Sequence, residues 1–287
     1  MPSMADLAEL VRAPAALSVP GDVVAGAAAA GALGPRTPAL AAASVLLYWA
    51  GMAANDWADR ALDAVERPER PIPSGRVAPG LAVGLAAGLT AAGVGLAAVA
   101  GGRRAAAVAV PLAATVWGYD LVAKNTAAGP AVMAACRGLD VLLGAANGRP
   151  VRALPAAVTV AAHTWTVTAL SRREVDGADR RLPLRTLAGT ALVAASAALP
   201  PGARRRAGVS LPAVLAGWYV ARYGTAQARV VDRPTAGRVR AAVGAGITGL
   251  PALQGALTAR AGANLLGLAV AMAAPLGRRL ARKVSPT

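Results

Sequence analysis

The run Asn55-Asp56-Trp57-Ala58-Asp59-Arg60-Ala61-Leu62-Asp63 gathers oxygen donors at helical spacing. Asp56, Asp59 and Asp63 stand at i, i+3 and i+7, and Asn55 and Asp59 at i, i+4, so a helix carries all of them on one face. Like charges so placed repel by about 0.2–0.5 kcal/mol per pair in water, and by more at the end of a membrane helix, where screening is poorer. No lysine is interleaved to relieve that repulsion. A hard divalent cation does relieve it: Mg²⁺ takes oxygen ligands, keeps several waters and commonly bridges to a phosphate. The spacing predicts a Mg²⁺ site held by Asn55, Asp56, Asp59 and Asp63.

The following stretch, Glu66-Arg67-Pro68-Glu69-Arg70-Pro71-Ile72-Pro73-Ser74-Gly75-Arg76, cannot continue the helix, because its prolines impose extended backbone. It holds Arg67, Arg70 and Arg76 near the acidic face without simple i, i+4 neutralisation. Guanidinium forks match phosphate oxygens. Acids that bind Mg²⁺ beside such arginines point to a diphosphate rather than a bare metal; taken alone, the arginines read as a basic cytoplasmic loop.

The pattern NDxxDxxxD followed by RPxRPIPSG, from Asn55 to Arg76, resembles the first signature of the UbiA superfamily of intramembrane prenyltransferases. The resemblance in layout extends over most of the chain, and the stretch from Tyr119 to Gly144 points within the superfamily to the EboC-like branch. It implies an all-helical bundle around a central cavity. It also implies Mg²⁺-dependent binding of an isoprenyl diphosphate at the cytoplasmic side, and transfer of the allylic group to a hydrophobic, often aromatic, acceptor. The superfamily's second motif, DxxxD, has an altered counterpart in Ser171-Arg172-Arg173-Glu174-Val175-Asp176-Gly177-Ala178-Asp179-Arg180-Arg181. Glu174 stands where the first acid belongs and Ala178 where the second does. Asp176 and Asp179 are neighbours able to substitute, and Gly177 permits a tight turn that brings Glu174 and Asp179 together. Glu174, Asp176 and Asp179 are the expected second metal ligands. Asp56, Asp59, Asp63, Glu174 and Asp179 are the expected catalytic acids. The missing acid at Ala178 keeps a second reading open: a non-catalytic relative that binds or moves a lipid-linked or other amphiphilic molecule.

Lys124 either reaches a diphosphate oxygen, as basic residues after this helix do in the superfamily, or pairs with Asp120 at i, i+4. Arg137 and Asp140, at i, i+3 inside an apolar stretch, either pair with each other or leave Arg137 to touch substrate; a charge at that depth faces a cavity or a partner. Asp22 has no base near it in sequence and is expected to point into the bundle. Arg67, Arg70, Lys124 and Arg137 thus form the expected diphosphate-binding set. Tyr48, Tyr119, Trp165 and Tyr219 are the expected cavity aromatics. The lone His163, within an apolar run, reads as buried and packed against a helix rather than as a ligand.

These residues must be positioned by elements that suit a bilayer. Of the 287 residues, 56% are hydrophobic and only 15% charged, with a mean hydropathy of +0.49. A soluble domain carries about 25% charged residues, so the composition excludes an ordinary water-soluble fold. Ten apolar segments are candidate spans: 15–33, 38–56, 79–100, 104–122, 129–147, 153–171, 184–200, 207–230, 238–258 and 262–280, the last two being the least separable. The expected architecture is therefore an all-α polytopic bundle of about nine to ten transmembrane helices, a single domain over 1–287. Recurrent small residues such as Gly84 and Gly88 suit close helix approach in lipid.

The net charge of +16 does not point to nucleic acid. The basic residues fall in short connections between spans, mostly on the side that places the N-terminus in the cytoplasm. The acids cluster on that same side, and none falls in a loop of the other. Aromatics also gather in that half, either as a lipid-facing belt or as the lining of an inward-opening cavity. The expected location is the plasma membrane, with the site facing the cytoplasm. One cysteine, Cys136, excludes an internal disulfide and a cysteine-based zinc site. No nucleotide-binding loop supports an active pump. Asp6 and Glu9 precede the first apolar run in place of a basic region, so that run is expected to be a retained span and not a secretory signal.

Overall fold

A computed structural model describes residues 2–13, 18–199 and 210–273. Among them every regular element is helical. The elements are α1 (Met4–Leu10), α2 (Pro20–Ala30), α3 (Thr37–Ala58), α4 (Arg60–Glu66), α5 (Pro79–Gly118), α6 (Gly129–Gly144), α7 (Pro150–Ser171), α8 (Arg181–Ala198), α9 (Leu211–Tyr219), α10 (Thr225–Asp232) and α11 (Ala236–Arg260), followed by α12 (Asn264–Ala273). π-helical turns at Tyr119–Ala123 and Val220–Gly224 extend α5 and join α9 to α10.

Each expected apolar segment falls on a helix in its described part; residues 15–17, 200, 207–209 and 274–280 of those segments lie outside the described residues. By length and composition, three described helical stretches are long and apolar enough to cross a membrane: Thr37–Ala58, Pro79–Ala123 and Pro150–Ser171. The longest unites two expected segments. It bends at Gly102, whose φ of 63° and ψ of −158° belong to a backbone region that glycine alone enters readily. Prolines open several helices in their first turn, where no hydrogen bond is lost.

α3 packs chiefly on α5 and α6 on α7, while α11 packs against α9, α7 and α2. The core is built of Ala, Val and Leu, and the backbones come correspondingly close. Gly26 of α2 faces the Val141 carbonyl of α6, and Gly144 of α6 faces the Val23 carbonyl of α2. A Cβ at either would sit inside the opposite backbone. The expected pair Gly84 and Gly88 does not serve this purpose, since a Cβ at either meets nothing within 4 Å. Glycine spacing at i, i+4 cannot tell a crossing face from an open one.

Candidate active site

The acidic run occupies the end of α3 and the short helix after it. α3 stops at Ala58, Asp59 has a ψ of 2°, and α4 resumes at Arg60. The backbone hydrogen bonds from Asp59 N to Asn55 O and from Asp63 N to Asp59 O keep the two helices nearly in register. One face is therefore retained, but the carboxylates do not act as a group of three. Asp56 and Asp63, both buried, converge on Arg70: its Nη1 is 3.4 Å from Asp56 Oδ1 and 2.6 Å from Asp63 Oδ2. Asp59 turns to Lys124, with Nζ 2.6 Å from its Oδ1. Lys124 also donates to Asn55 Oδ1 at 3.1 Å. Among the described residues no three Asp, Glu, His or Cys side chains stand together as a ready ion-binding group. The bases already hold the acids.

Those bases come from four places in the sequence. Arg67 lies 4.0 Å from Asp63. Arg70 sits in the turns that follow α4; the prolines stop the helix as expected, but the backbone folds into hydrogen-bonded turns instead of the expected extended run. Lys124 follows the π-helical end of α5; its partner is Asp59, not Asp120. Asp120 itself is buried nearby, under the influence of Lys124, Asp59, Arg12 and Asp56. Arg12 was not among the expected residues. Its Nη2 donates to Asp56 Oδ1 at 2.6 Å, from a backbone φ of 46° that is uncommon for a residue with a side chain. Nothing local in the sequence marks it, because its partner is distant in the chain.

Arg76 turns away from the acidic run and clamps α1. It lies 2.7 Å from Asp6 Oδ1 and 2.7 Å from Glu9 Oε2. Hydrogen bonds from the Ser3 hydroxyl and amide, with that from Arg76, pull the Asp6 carboxyl down to about 2.

The second acidic loop lies at the same end of the bundle. Arg172 donates to the carbonyls of Thr126 and Lys124, so the loop after α7 meets the loop that supplies Lys124. Of its acids, Asp179 alone makes a side-chain hydrogen bond among the described residues. Asp179 Oδ1 accepts from Leu182 N at 3.1 Å and caps the start of α8. The Glu174 carbonyl accepts from Arg240 at 2.6 Å, and partial burial raises the Glu174 carboxyl above the usual range. Gly177 makes the expected turn at φ 79°, but the turn docks Ala178 N on the Pro234 carbonyl at 3.0 Å. Asp176 is exposed.

Arg137 and the expected aromatics are spread through the bundle. Arg137 pairs with Asp22 rather than with Asp140: its Nε is 2.7 Å from Asp22 Oδ2. Its Nη2 donates to the Ser18 carbonyl, and its guanidinium lies 5.4 Å from the centre of the Tyr48 ring. Asp140 takes the Ser44 hydroxyl instead, and Gln254 donates to the other Asp22 oxygen at 2.6 Å. Asp22 thus points inward as expected, with its base supplied from α6. Tyr119 lies at the acidic end beside Asp120. Trp165 is exposed, whereas Tyr219 is fully buried and shares a 2.9 Å hydrogen bond with His163 Nδ1. His163 is packed in the core, as expected.

The model of the UbiA prenyltransferase family matches residues 18–231 of this sequence. The chain belongs to the UbiA prenyltransferase family. Similar family members include a digeranylgeranylglyceryl phosphate synthase of Natronomonas pharaonis, 34% identical over 63% of this chain and 67% of its own length. The synthase of the same name from Methanopyrus kandleri is 42% identical over 36% of this chain and 39% of its own length. The match therefore spans about two thirds of one relative and well under half of the other. Two solved structures share the family fold. One comes from work on digeranylgeranylglyceryl phosphate synthase in membranes (TM-score 0.67, 16% identity, 89% of this chain and 97% of that one). The other is an apo UbiA homologue from Aeropyrum pernix K1 (TM-score 0.62, 20% identity, 88% and 96%). The Natronomonas and Methanopyrus relatives carry the synthase name rather than that of the EboC-like branch, which rests on the Tyr119–Gly144 stretch alone.

Proposed function

We propose that this membrane protein transfers an isoprenyl group from an allylic diphosphate to an acceptor held within the bundle. The observation that carries this reading is the site itself. The run from Asn55 to Asp63 closes a membrane helix and is ringed by Arg12, Arg70 and Lys124. Family membership and the relatives' prenyl-transfer names support it.

The carboxylate and amide oxygens of Asn55, Asp56, Asp59 and Asp63 suit Mg²⁺ in donor chemistry. They would hold it together with diphosphate oxygens, and the ion, when bound, supplies positive charge against the leaving group. Arg12, Arg67, Arg70 and Lys124 are placed to move from carboxylate to diphosphate partners, since each already lies at the acids. As the allylic C–O bond breaks, its electron pair leaves on the diphosphate oxygen, where these donors stabilise it. The acceptor's nucleophilic atom forms the new bond to the allylic carbon and gives up its proton to the released diphosphate. An apolar bundle interior keeps water from the allylic cation, and aromatic faces such as Tyr119 stabilise it.

We place the site at the cytoplasmic face of the plasma membrane, in a bundle of nine to ten spans around a central cavity, because the acids and most basic loops share that end. The acceptor is hydrophobic; the relatives' name places an isoprenyl-glyceryl phosphate beside aromatic compounds among those to be tested.

The second reading, a binding protein without transfer, is favoured by one observation: Asp179 and the Glu174 backbone are committed to holding their loop. Purified protein incubated with labelled allylic diphosphates of several lengths, Mg²⁺ and each acceptor class decides between them. A labelled product whose formation stops with a chelator supports transfer. A diphosphate-dependent thermal shift without product favours binding alone.

A further inference from the structure

Away from the acidic site, at the opposite end of the bundle, α2, α7 and α11 line a half-open pocket of about 400 Å³ whose wall includes Arg152 and Arg260. Arg152 lies in the first turn of α7, and Arg260 ends α11. A second hollow of about 660 Å³ continues from it along the outside of the bundle. The two share Pro155 and Arg260. Val151, Leu154, Val158 and Leu199 line the second hollow, and all four are exposed. The pocket with its two arginines thus opens onto a shallow apolar channel along the outside of the bundle.

Among the described residues no Asp or Glu answers the charge there. Arg36 and Arg149, in the connections remote from Asp56, and Arg103 and Arg104, just past the bend of α5 at Gly102, stand at the same end as Arg152 and Arg260. All 14 acids of the sequence are among the described residues, and they lie at the other end or, for Asp22 and Asp140, inside the bundle. Arg260 Nε is buried with no hydrogen-bond partner among the described residues. Leaving a guanidinium N–H unpaired beside a low-dielectric wall is costly. A phosphate oxygen is the matching partner, and guanidinium–phosphate pairs are strong and directional.

We propose that this pocket and channel bind an anionic phospholipid of the bilayer, with its phosphate between Arg152 and Arg260 and an acyl chain along Val151, Leu154, Val158 and Leu199. The site is distinct from the proposed transfer site and does not depend on that activity.

The test uses the full chain in detergent. Tm and native mass spectrometry are followed as dioleoyl phosphatidylglycerol, dioleoyl phosphatidylcholine or soluble glycerol 3-phosphate is added. Phosphatidylglycerol should raise Tm and remain bound, phosphatidylcholine should do so less, and glycerol 3-phosphate should do neither. Arg152→Gln with Arg260→Gln should weaken phosphatidylglycerol binding about tenfold or more, the scale of losing a charge-assisted hydrogen bond. Leu154→Glu keeps both arginines, sits at an exposed position and should weaken binding similarly by repelling the phosphate. Arg103→Gln with Arg104→Gln removes as much charge outside the pocket and should leave binding intact. The proposal is overturned if glycerol 3-phosphate matches the lipid, if phosphatidylcholine equals phosphatidylglycerol, if the Arg152/Arg260 variant binds as before, or if both arginine pairs count equally.

Discussion

Asp59 divides two interests: it belongs to the acidic face, and it is the anion of Lys124. From spacing alone, its replacement by Asn would only relieve repulsion. With Lys124 at 2.6 Å, the same change also removes a half-buried ion pair. Asp59→Asn should therefore abolish transfer and lower Tm slightly, by a loss of about 1 kcal/mol or less, read in a melting curve beside a product assay. Full activity, together with an undiminished shift on adding Mg²⁺ and diphosphate, would remove Asp59 from the site. Arg137 behaves differently. Arg137→Leu leaves Asp22 buried without its cation, and breaking a buried pair in this way costs about 3–5 kcal/mol. The variant should fail to reach a stable fold, and Asp22→Asn with Arg137→Leu should recover much of that loss. If Arg137→Leu melts normally but loses transfer, Arg137 acts on substrate, one of the two roles the sequence left open for it. The acidic face was legible because a helix writes it at i, i+3 and i+7. The partners Arg12, Lys124 and Arg137 were ambiguous or silent, because ion pairs between distant segments leave no periodic mark.

At the scale of elements, the apolar segments fall on helices, but their limits were only partly legible: 79–100 and 104–122 run together in α5, and 207–230 divides into α9 and α10. Contact faces were not legible. Gly84 and Gly88 have the same spacing as a crossing motif yet meet open space, while Gly26 and Gly144 interlock α2 with α6. Gly26→Val should lower Tm strongly, with a cost of a few kcal/mol at least, whereas Gly84→Val should scarcely change it; equal effects would refute the crossing. The second acidic loop is the element whose motif and geometry diverge. Partial burial raises the Glu174 carboxyl, so its ionised form is disfavoured in the folded protein relative to the unfolded one. That group subtracts stability above its raised folded value and ceases to do so as pH falls through it. Glu174→Gln should then leave Tm at neutral pH unchanged or slightly higher, and should flatten that part of the pH profile. If Glu174 also holds a second ion, the same variant loses the Mg²⁺-dependent part of product formation. A Tm unchanged and an activity unchanged together would assign Glu174 no part in the reaction.

At the scale of the whole molecule, the distribution of charge is the feature that both sequence and structure express. Acids gather at one end, where arginines and Lys124 answer them, and the opposite end is basic without any acid. Acidic residues contribute little to the choice of topology, and at their end some of them hold structure, as Asp6 and Glu9 do with Arg76 and Asp179 does with the Leu182 amide. The basic bias in the loops sets which end faces the cytoplasm. This orientation has a direct test, because Cys136 is the chain's single cysteine and is buried, so an introduced thiol reports alone. Glu69→Cys and Asp176→Cys place exposed thiols on the two loops of the acidic end, and Ala261→Cys places one at the basic end. In intact cells a membrane-impermeant maleimide should label position 261 and spare 69 and 176. In inside-out vesicles the pattern should reverse. Labelling of 69 and 176 from opposite sides would separate the two acidic loops and dismantle the site. Labelling of both from outside would keep the site but turn the molecule over, placing diphosphate binding where the cytoplasmic pool cannot reach it.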